Sequence, residues 1–316
     1  MGMNYQKKVI EIMDNVSKVI VGKEDVTKLV LTSLIAGGHV LLEDVPGTGK
    51  TMLAKTVAKS VDAQFSRIQF TPDLLPSDVT GINYYNQKAG EFVFRRGPVF
   101  SNILLADEIN RATPRTQSSL LESMEEHQAT IDGVTMELPD PFFVIATQNP
   151  VESSGTFPLP EAQLDRFIMQ IPMGYPNREG EREILHRFAA DNPLLTLESV
   201  CTKEELAAMQ KQCEEVYAAP VIEDYILDLV EATRKHNNIA LGVSPRGALV
   251  FLRAAKCYSA LKGGHFVTPE TVKYLAPFVL SHRLILEDVY STNKKASDYI
   301  EEITHFVTAP TEDFTK

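Results

Sequence analysis

The residues best suited to phosphate chemistry form a glycine-rich segment between an apolar run and a helical pattern. In order, they are Pro46, Gly47, Thr48, Gly49, Lys50, Thr51 and Met52. Glycines in such a turn let backbone N–H groups surround phosphate oxygens at the positive end of a helix. Lys50 is then expected to neutralise the β- and γ-phosphates, and the Thr51 hydroxyl to bind magnesium. The segment predicts a nucleotide-binding loop, although Asp44 replaces the first glycine of the usual pattern.

Two consecutive carboxylates, Asp107 and Glu108, end the apolar run 103–106. A buried strand would deliver both to the carboxyl edge of a sheet, where open α/β sheets bind their ligands. We expect Asp107 to hold magnesium and Glu108 to orient and deprotonate an attacking water. An apolar strand that ends in Asp-Glu is common on its own. Downstream of the glycine-rich loop, with one strand between them, the pair predicts nucleotide hydrolysis.

A third polar residue, Asn149, follows the apolar run 142–147. It could reach between the glycine-rich loop and the two carboxylates and hold the attacking water or the γ-phosphate. The alternative is an asparagine that starts a turn before Pro150. The two neighbouring motifs favour the first interpretation.

Short β-rich runs alternate with helical patterns through the first half of the chain, which is typical of a parallel α/β sheet. The candidate strands are 39–44, 65–70, 102–106, 142–147 and 167–171. Several are continuous apolar runs, as expected for strands covered by helices on both faces. Segments 80–95 and 129–138 read as β-hairpins, the second with Asp132 and Gly133 as its turn. Neither hairpin is needed to complete the sheet, so both are expected to be functional insertions.

The strand signals stop after Pro176, and the remaining chain reads as helices. Their predicted starts are at the capping residues Asn177, Thr202 (with Glu205 in a capping box), Ser244 and Thr268. We therefore predict an α/β nucleotide-binding domain over 1–175 and an α-helical lid over 176–316.

Four segments together resemble the MoxR family of AAA+ ATPases. They are GTGKT at 47–51, ILLADEINRA at 103–112, ATQNP at 146–150 and GTFPLPEAQLDRF at 155–167. The resemblance covers almost the whole chain, and the segments stand in the family's order. It implies the AAA+ form of the P-loop NTPase fold, with a five-stranded parallel sheet of order 5-1-4-3-2 and a C-terminal all-α lid.

The resemblance also implies which residues enclose the base and what the two hairpins are. Val21 and Gly22 fall where the family encloses adenine, although Lys23 stands where glutamine is common. The hairpins at 80–95 and 129–138 match the family's helix-2 insert and pre-sensor-1 hairpin. ATP or ADP and Mg²⁺ are the implied ligands.

By the same resemblance, Asn149 matches the first sensor, Arg166 the arginine finger offered to the neighbouring subunit's ATP, and Arg246 the second sensor on the lid. An arginine in the loop before the last strand is poorly placed for its own phosphate but could reach across a ring interface. Arg246, in the first turn of a lid helix, could follow the γ-phosphate as the lid closes. The alternative for each is a solvated charge or a local salt bridge. Arg111 and Arg115 remain candidates for an additional contact across the interface.

An active site shared between subunits predicts a homo-oligomer, and the resemblance implies a hexameric ring. Our main hypothesis is a chaperone-like motor that converts ATP and water to ADP and phosphate and remodels or matures protein clients. The clients implied by the resemblance are von Willebrand factor A domain proteins. The alternatives are a nucleic-acid motor of the helix-2-insert type and a nucleotide-gated scaffold with slow hydrolysis.

Composition bears on the partner and the compartment. Asp and Glu number 42 against 31 Lys and Arg, a net charge of -11 that disfavours gripping a nucleic-acid backbone as the main task. We find neither a signal-peptide pattern nor an apolar stretch long enough to span a bilayer. The three cysteines lack metal-like spacing, which indicates buried thiols in a reducing compartment. We therefore expect a cytoplasmic protein without a membrane span.

Overall fold

The computed structural model describes residues 5–43, 47–149, 155–189, 191–287 and 294–311. The strands are β1 (Val40–Glu43), β2 (Phe65–Gln69), β3 (Gly81–Asn86), β4 (Glu91–Arg96), β5 (Ile103–Asp107), β6 (Gln128–Ile131), β7 (Val134–Glu137), β8 (Phe143–Gln148), β9 (Met169–Pro172), β10 (Ile239–Leu241) and β11 (Ile285–Leu286). The helices are α1 (Tyr5–Ser17), α2 (Glu24–Ile35), α3 (Lys50–Ser60), α4 (Pro76–Thr80), α5 (Pro114–Glu126), α6 (Glu161–Leu164), α7 (Arg178–Phe188), α8 (Pro193–Thr196), α9 (Lys203–Glu214), α10 (Pro220–Lys235), α11 (Pro245–Leu261), α12 (Pro269–Leu280) and α13 (Ala296–Phe306). Short 3-10 turns lie at Pro98–Phe100, Ile109–Arg111 and Ser281–Arg283.

A five-stranded parallel sheet in the order β2-β5-β8-β1-β9 forms the centre of the protein. Counted along the chain, these strands are the second, third, fourth, first and fifth of the sheet, so the predicted order 5-1-4-3-2 is confirmed. Alternate strand residues face opposite sides: Leu42 joins one hydrophobic cluster, whereas Leu41 joins the other. Both clusters are buried under helices, which explains the continuous apolar runs in the sequence.

The larger hydrophobic cluster continues from the sheet into the helical part. It contains Leu34 of α2, Phe251 of α11 and Leu275 of α12, all buried. Helix α11 packs directly against α2. The lid and the α/β part therefore share a core, and the boundary between 1–175 and 176–316 stays a prediction.

Both predicted hairpins are present. Strand β3 pairs with β4, and β6 pairs with β7 through a turn in which Asp132 and Gly133 have φ values of +51° and +79°. These positive values identify the mirror-image turn that Asp-Gly favours. Asn83 Nδ2 donates to Asp132 Oδ2 at 2.8 Å and joins the two hairpins.

The helical part begins its helices at the predicted caps. Asn177 accepts from the Gly180 amide at 2.8 Å, and the side chain of Thr202 accepts from the Glu205 amide at 3.2 Å. Ser244 and Thr268 cap α11 and α12 in the same way. The structure differs from the prediction of helices alone, because β10 and β11 pair antiparallel within the lid. Across the described residues, no helix combines the length and the apolar character needed to cross a membrane.

Candidate functional site

The glycine-rich loop links the carboxyl end of β1 to the start of α3. Gly47 and Gly49 have φ values of +88° and +92°, and, apart from their adjacent residues, no heavy atom of the described part of the chain lies within 4 Å of a Cβ built on either. Helix α3 begins at Lys50 and carries Thr51 and Met52 in its first turn, and no side chain among the described residues caps its amino terminus. Backbone N–H groups and the helix dipole therefore face space that an anion could fill. Thr48 lies between the two glycines, and Pro46 falls outside the described residues.

The segment predicted to enclose the base packs against the start of the lid. Val21 is buried, and Gly22 has a φ of +64°. The ammonium group of Lys23 donates to the backbone oxygens of Met173 and Gly174, at 2.7 and 2.8 Å. Lys23 thus ties this segment to the chain that leaves β9.

Asp107 and Glu108 lie at the carboxyl end of β5 and share one hydroxyl group. Thr147, in the adjacent β8, donates from Oγ1 to Asp107 Oδ1 at 2.7 Å and accepts from the backbone N–H of Glu108 at 2.8 Å. Arg67 Nη2 contacts Asp107 Oδ2 at 2.7 Å. The Asp107 carboxylate is therefore oriented from both sides.

Glu108 occupies an unusual backbone conformation, with a φ of +55°. This left-handed geometry costs about 1 kcal/mol for a residue with a side chain, and such strain concentrates at functional sites. The Glu108 carboxylate accepts from Gln69 Nε2 at 2.6 Å, and Arg111 Nη1 lies 3.1 Å away. Both contacts are made to the same oxygen, Oε2, so two neighbours hold one side of this carboxylate.

Asn149 follows β8 and is 6% exposed. Because β8 lies between β1 and β5, Asn149 lies between the loop that contains Lys50 and the acidic pair. The sheet thus brings the predicted residues of three separate segments to one edge.

Arg166 and Arg246 meet on a single carboxylate. Arg166 Nη2 lies 3.1 Å from Glu125 Oε2, and Arg246 Nη1 lies 2.8 Å from Glu125 Oε1. Glu125 belongs to α5, whereas Arg246 opens α11 of the lid. The two guanidinium groups therefore form one cationic pair around Glu125.

This arginine pair lies at the amino edge of the sheet. His39, which precedes β1, accepts from the Val144 amide at Nδ1, so its Nε2–H donates to the Met124 oxygen next to Glu125. The backbone oxygen of His39 also accepts from the Ile168 amide, two residues after Arg166. The glycine-rich loop follows β1 at the opposite edge of the sheet. The four residues of β1 separate the two edges by about 13 Å. The structure does not bring the two arginines to the loop of their own chain.

Several residues of the two edges were not predicted from the sequence. Thr147 lies in the segment ATQNP at 146–150, which carries part of the family resemblance. A buried threonine at the end of a strand beside the acidic strand could have predicted this hydrogen-bonding role. Arg67 and Gln69 lie near the carboxyl end of β2, which pairs with β5. Any parallel sheet in which these two strands are neighbours would bring both residues close to Asp107 and Glu108. Glu125 carried no such signal, because only the folded chain places it between two distant arginines.

Comparisons with known proteins agree with this geometry. The model of the ATPase family associated with various cellular activities (AAA) matches residues 39–169, and that of the AAA lid domain matches residues 231–303. The uncharacterized protein YeaC of Bacillus subtilis is 49% identical over 313 residues, which is 98% of each chain. Chaperone MoxR1 of Mycobacterium tuberculosis is 42% identical over 86% of this chain and 74% of its own.

A solved structure shows the same similarity in three dimensions. The crystal structure of a candidate ATPase from Cytophaga hutchinsonii superimposes with a TM-score of 0.91 at 40% identity, over 97% of this chain and 96% of that one. The similarity therefore extends over the α/β part, the hairpins and the lid together.

Proposed function

Because the chain belongs to the MoxR family of AAA+ ATPases, we propose that it hydrolyses ATP to ADP and phosphate at the carboxyl edge of its sheet. One observation carries this proposal: three neighbouring strands, β1, β8 and β5, end in the glycine-rich loop, Asn149 and the acidic pair. Each group supplies a different part of phosphoryl transfer.

The loop is the binding element for the phosphates. The open space beside Gly47 and Gly49 admits phosphate oxygens where any larger residue would place a Cβ. Lys50 adds a positive charge, and the amino terminus of α3 adds the helix dipole. Val21 and Gly22 are the proposed contacts of the adenine ring.

Magnesium fits the Thr51 hydroxyl and the Asp107 carboxylate, because hard cations prefer oxygen ligands. Thr147 and Arg67 use only part of the acceptor capacity of the two Asp107 oxygens. When bound, the ion neutralises charge on the phosphate oxygens.

Glu108 is the proposed general base. Its carboxylate takes a proton from the attacking water, and Asn149 holds that water or the γ-phosphate in line. Gln69 donates to the carboxylate and keeps it pointed toward the edge of β5. The strained backbone at Glu108 is consistent with a residue held for chemistry rather than for stability.

Arg166 and Arg246 are proposed to serve the nucleotide of the neighbouring subunit. They lie at the edge of the sheet away from their own loop, and they already contact an anionic group, the Glu125 carboxylate. A head-to-tail interface that closes would place this pair over the next subunit's γ-phosphate. The proposed assembly is a homo-oligomeric ring, and six subunits is the number that the family resemblance suggests.

The proposed task of the ring is chaperone-like remodelling or maturation of protein clients. A relative named a chaperone supports this class of task, and von Willebrand factor A domain proteins are our proposed clients. The hairpins are the proposed contact surface, because Tyr85 and Phe92 are exposed and Asn83–Asp132 joins both hairpins. A cytoplasmic location belongs to the same proposal. The relatives reported above give no support to the nucleic-acid alternative.

Phosphate release tests the enzymatic proposal. We expect wild-type turnover to require magnesium and to stop with a chelator. Glu108→Gln should bind ATP with near wild-type affinity but turn over at least about 100-fold more slowly, because the general base is lost. Lys50→Ala should lose affinity for ATP. Full turnover by Glu108→Gln, or no ATP binding by the wild type, would contradict the proposal.

A further inference from the structure

A buried arginine of the lid holds the loop that carries Arg166. The Arg283 side chain is 2% exposed, and its Nε donates to Asp165 Oδ1 at 2.6 Å. Its Nη2 donates to the backbone oxygens of Phe167 and Asp165, at 2.7 and 3.2 Å. Arg166 lies between the two residues that Arg283 binds, so this side chain fixes the backbone on both sides of it.

The same side chain also contacts the turn that carries Arg246. A Cβ built on Gly247 would lie 3.1 Å from Arg283 Cδ and 3.4 Å from Nε. Gly247 is the neighbour of Arg246 in the first turn of α11. The same Cβ would lie 2.5 Å from Val243 Cγ1, so the missing side chain of Gly247 leaves room for both neighbours and lets Arg283 pack against the first turn of α11.

The charge of Arg283 is maintained despite its burial. Burial lowers the pKa of Arg283 to about 10, which leaves the group protonated at neutral pH. Asp165 supplies the compensating carboxylate. Burial and the nearby Arg283 charge hold the pKa of His282 well below its usual range, so the adjacent imidazole adds no second cation. An ion pair this buried is costly to break from one side, which suits a fixed spacer.

We propose that Arg283 is a positioning residue for catalysis: it holds the Arg166 loop and the Arg246 turn so that Glu125 can pair both guanidinium groups and present them together to the neighbouring subunit. This inference rests on the proposed function, in which the arginine pair acts across the interface. A defect at Arg283 should impair the nucleotide site of the next subunit and leave the subunit's own site intact.

Arg283→Lys is the test variant, because lysine keeps the charge but replaces the planar guanidinium fork, whose Nε and Nη2 reach Asp165 and two backbone oxygens, with a single nitrogen. We expect ATP affinity to stay within about twofold and kcat to fall at least about tenfold. The matched control is Arg253→Lys, at an exposed arginine of α11, which should leave both unchanged. Thermal unfolding of each variant reports whether the fold is retained.

Mixed assemblies separate a positioning role from a general structural one. Arg283→Lys subunits have an intact site, and Glu108→Gln subunits have intact arginines. An equal mixture should regain up to about a quarter of wild-type turnover, because half of the sites and half of the facing arginine pairs are functional. No recovery would overturn the inference.

A parallel mixture keeps the two proposals distinguishable. Arg166→Ala mixed with Glu108→Gln should recover in the same way if the arginine acts across the interface. Recovery there, without recovery for Arg283→Lys, would reject only the role of Arg283. Failure of both mixtures would reject the shared active site itself. If Arg283→Lys unfolds, Asp165→Asn replaces it in the mixture, because it weakens the same contact from the more exposed side. We again expect turnover to recover. A mixture that does not recover would overturn the inference.

Discussion

At the scale of single residues, the hydroxyl of Thr147 organises the acidic pair. It donates to Asp107 and accepts from the Glu108 backbone, so the two carboxylate-bearing residues are positioned by one neutral side chain. Both hydrogen bonds are short and lie at the end of buried strands. Loss of the hydroxyl would leave a carboxylate oxygen and a backbone N–H without this partner.

We predict that Thr147→Val lowers kcat by about 10- to 100-fold, because an unsatisfied buried group costs about 1–3 kcal/mol and shifts both carboxylates. The change is close in shape, and the phosphate loop is untouched, so the Kd for ADP should stay within about twofold. Steady-state phosphate release and calorimetric titration of ADP measure the two quantities. Thr147→Ser, which keeps the hydroxyl, is the control. A valine variant with wild-type kcat would refute this role.

Single residues also mark what the sequence could not reveal. Lys50, Asp107, Glu108 and Asn149 were predicted to lie together, and the structure places them on one edge because each lies at or after the carboxyl end of a strand of the same parallel sheet. Arg283 was not predicted. Its partner Asp165 lies more than one hundred residues earlier in the chain, and no periodicity connects them.

At the scale of elements, the turn from β1 to α3 depends on backbone freedom at Gly49. Its φ of +92° is strained for a side-chain-bearing residue, and a Cβ would point into the space assigned to phosphate.

We predict that Gly49→Ala weakens ATP binding by at least about tenfold, because it adds backbone strain of about 1–2 kcal/mol and fills the phosphate space. Calorimetric titration of ATP measures the affinity. Gly90→Ala is the matched control, because Gly90 has a φ of +70° and equally open surroundings but lies in the β3–β4 turn. Equal ATP affinities for the two variants would contradict the assignment of the loop.

The elements themselves were largely predictable. Each sheet strand was placed within two residues, because a continuous apolar run bounded by turn residues is a strong signal in a doubly covered sheet. The β10–β11 pair was missed. These strands have three and two residues, lie far apart in the chain, and form only because the lid folds around them.

At the scale of the whole molecule, the two ends of the sheet have different chemistry. The nucleotide loop and the acids lie at the carboxyl edge, and the Arg166–Arg246 pair lies at the amino edge, joined by Glu125. Arg166 lies in the α/β part and Arg246 in the lid. The shared hydrophobic core holds these two parts together. In the proposed mechanism, such a subunit carries both halves of an active site but cannot join them by itself. Assembly and hydrolysis are therefore expected to be coupled.

Phosphate release at rising protein concentration tests this coupling most directly. For the wild type, the turnover per subunit should climb with concentration and level off once rings are complete. Arg166→Ala should stay at least about 100-fold below the wild type at every concentration, because the neighbour's site lacks its arginine. A wild-type turnover that is independent of concentration, together with an active Arg166→Ala, would show a self-contained site and contradict the account.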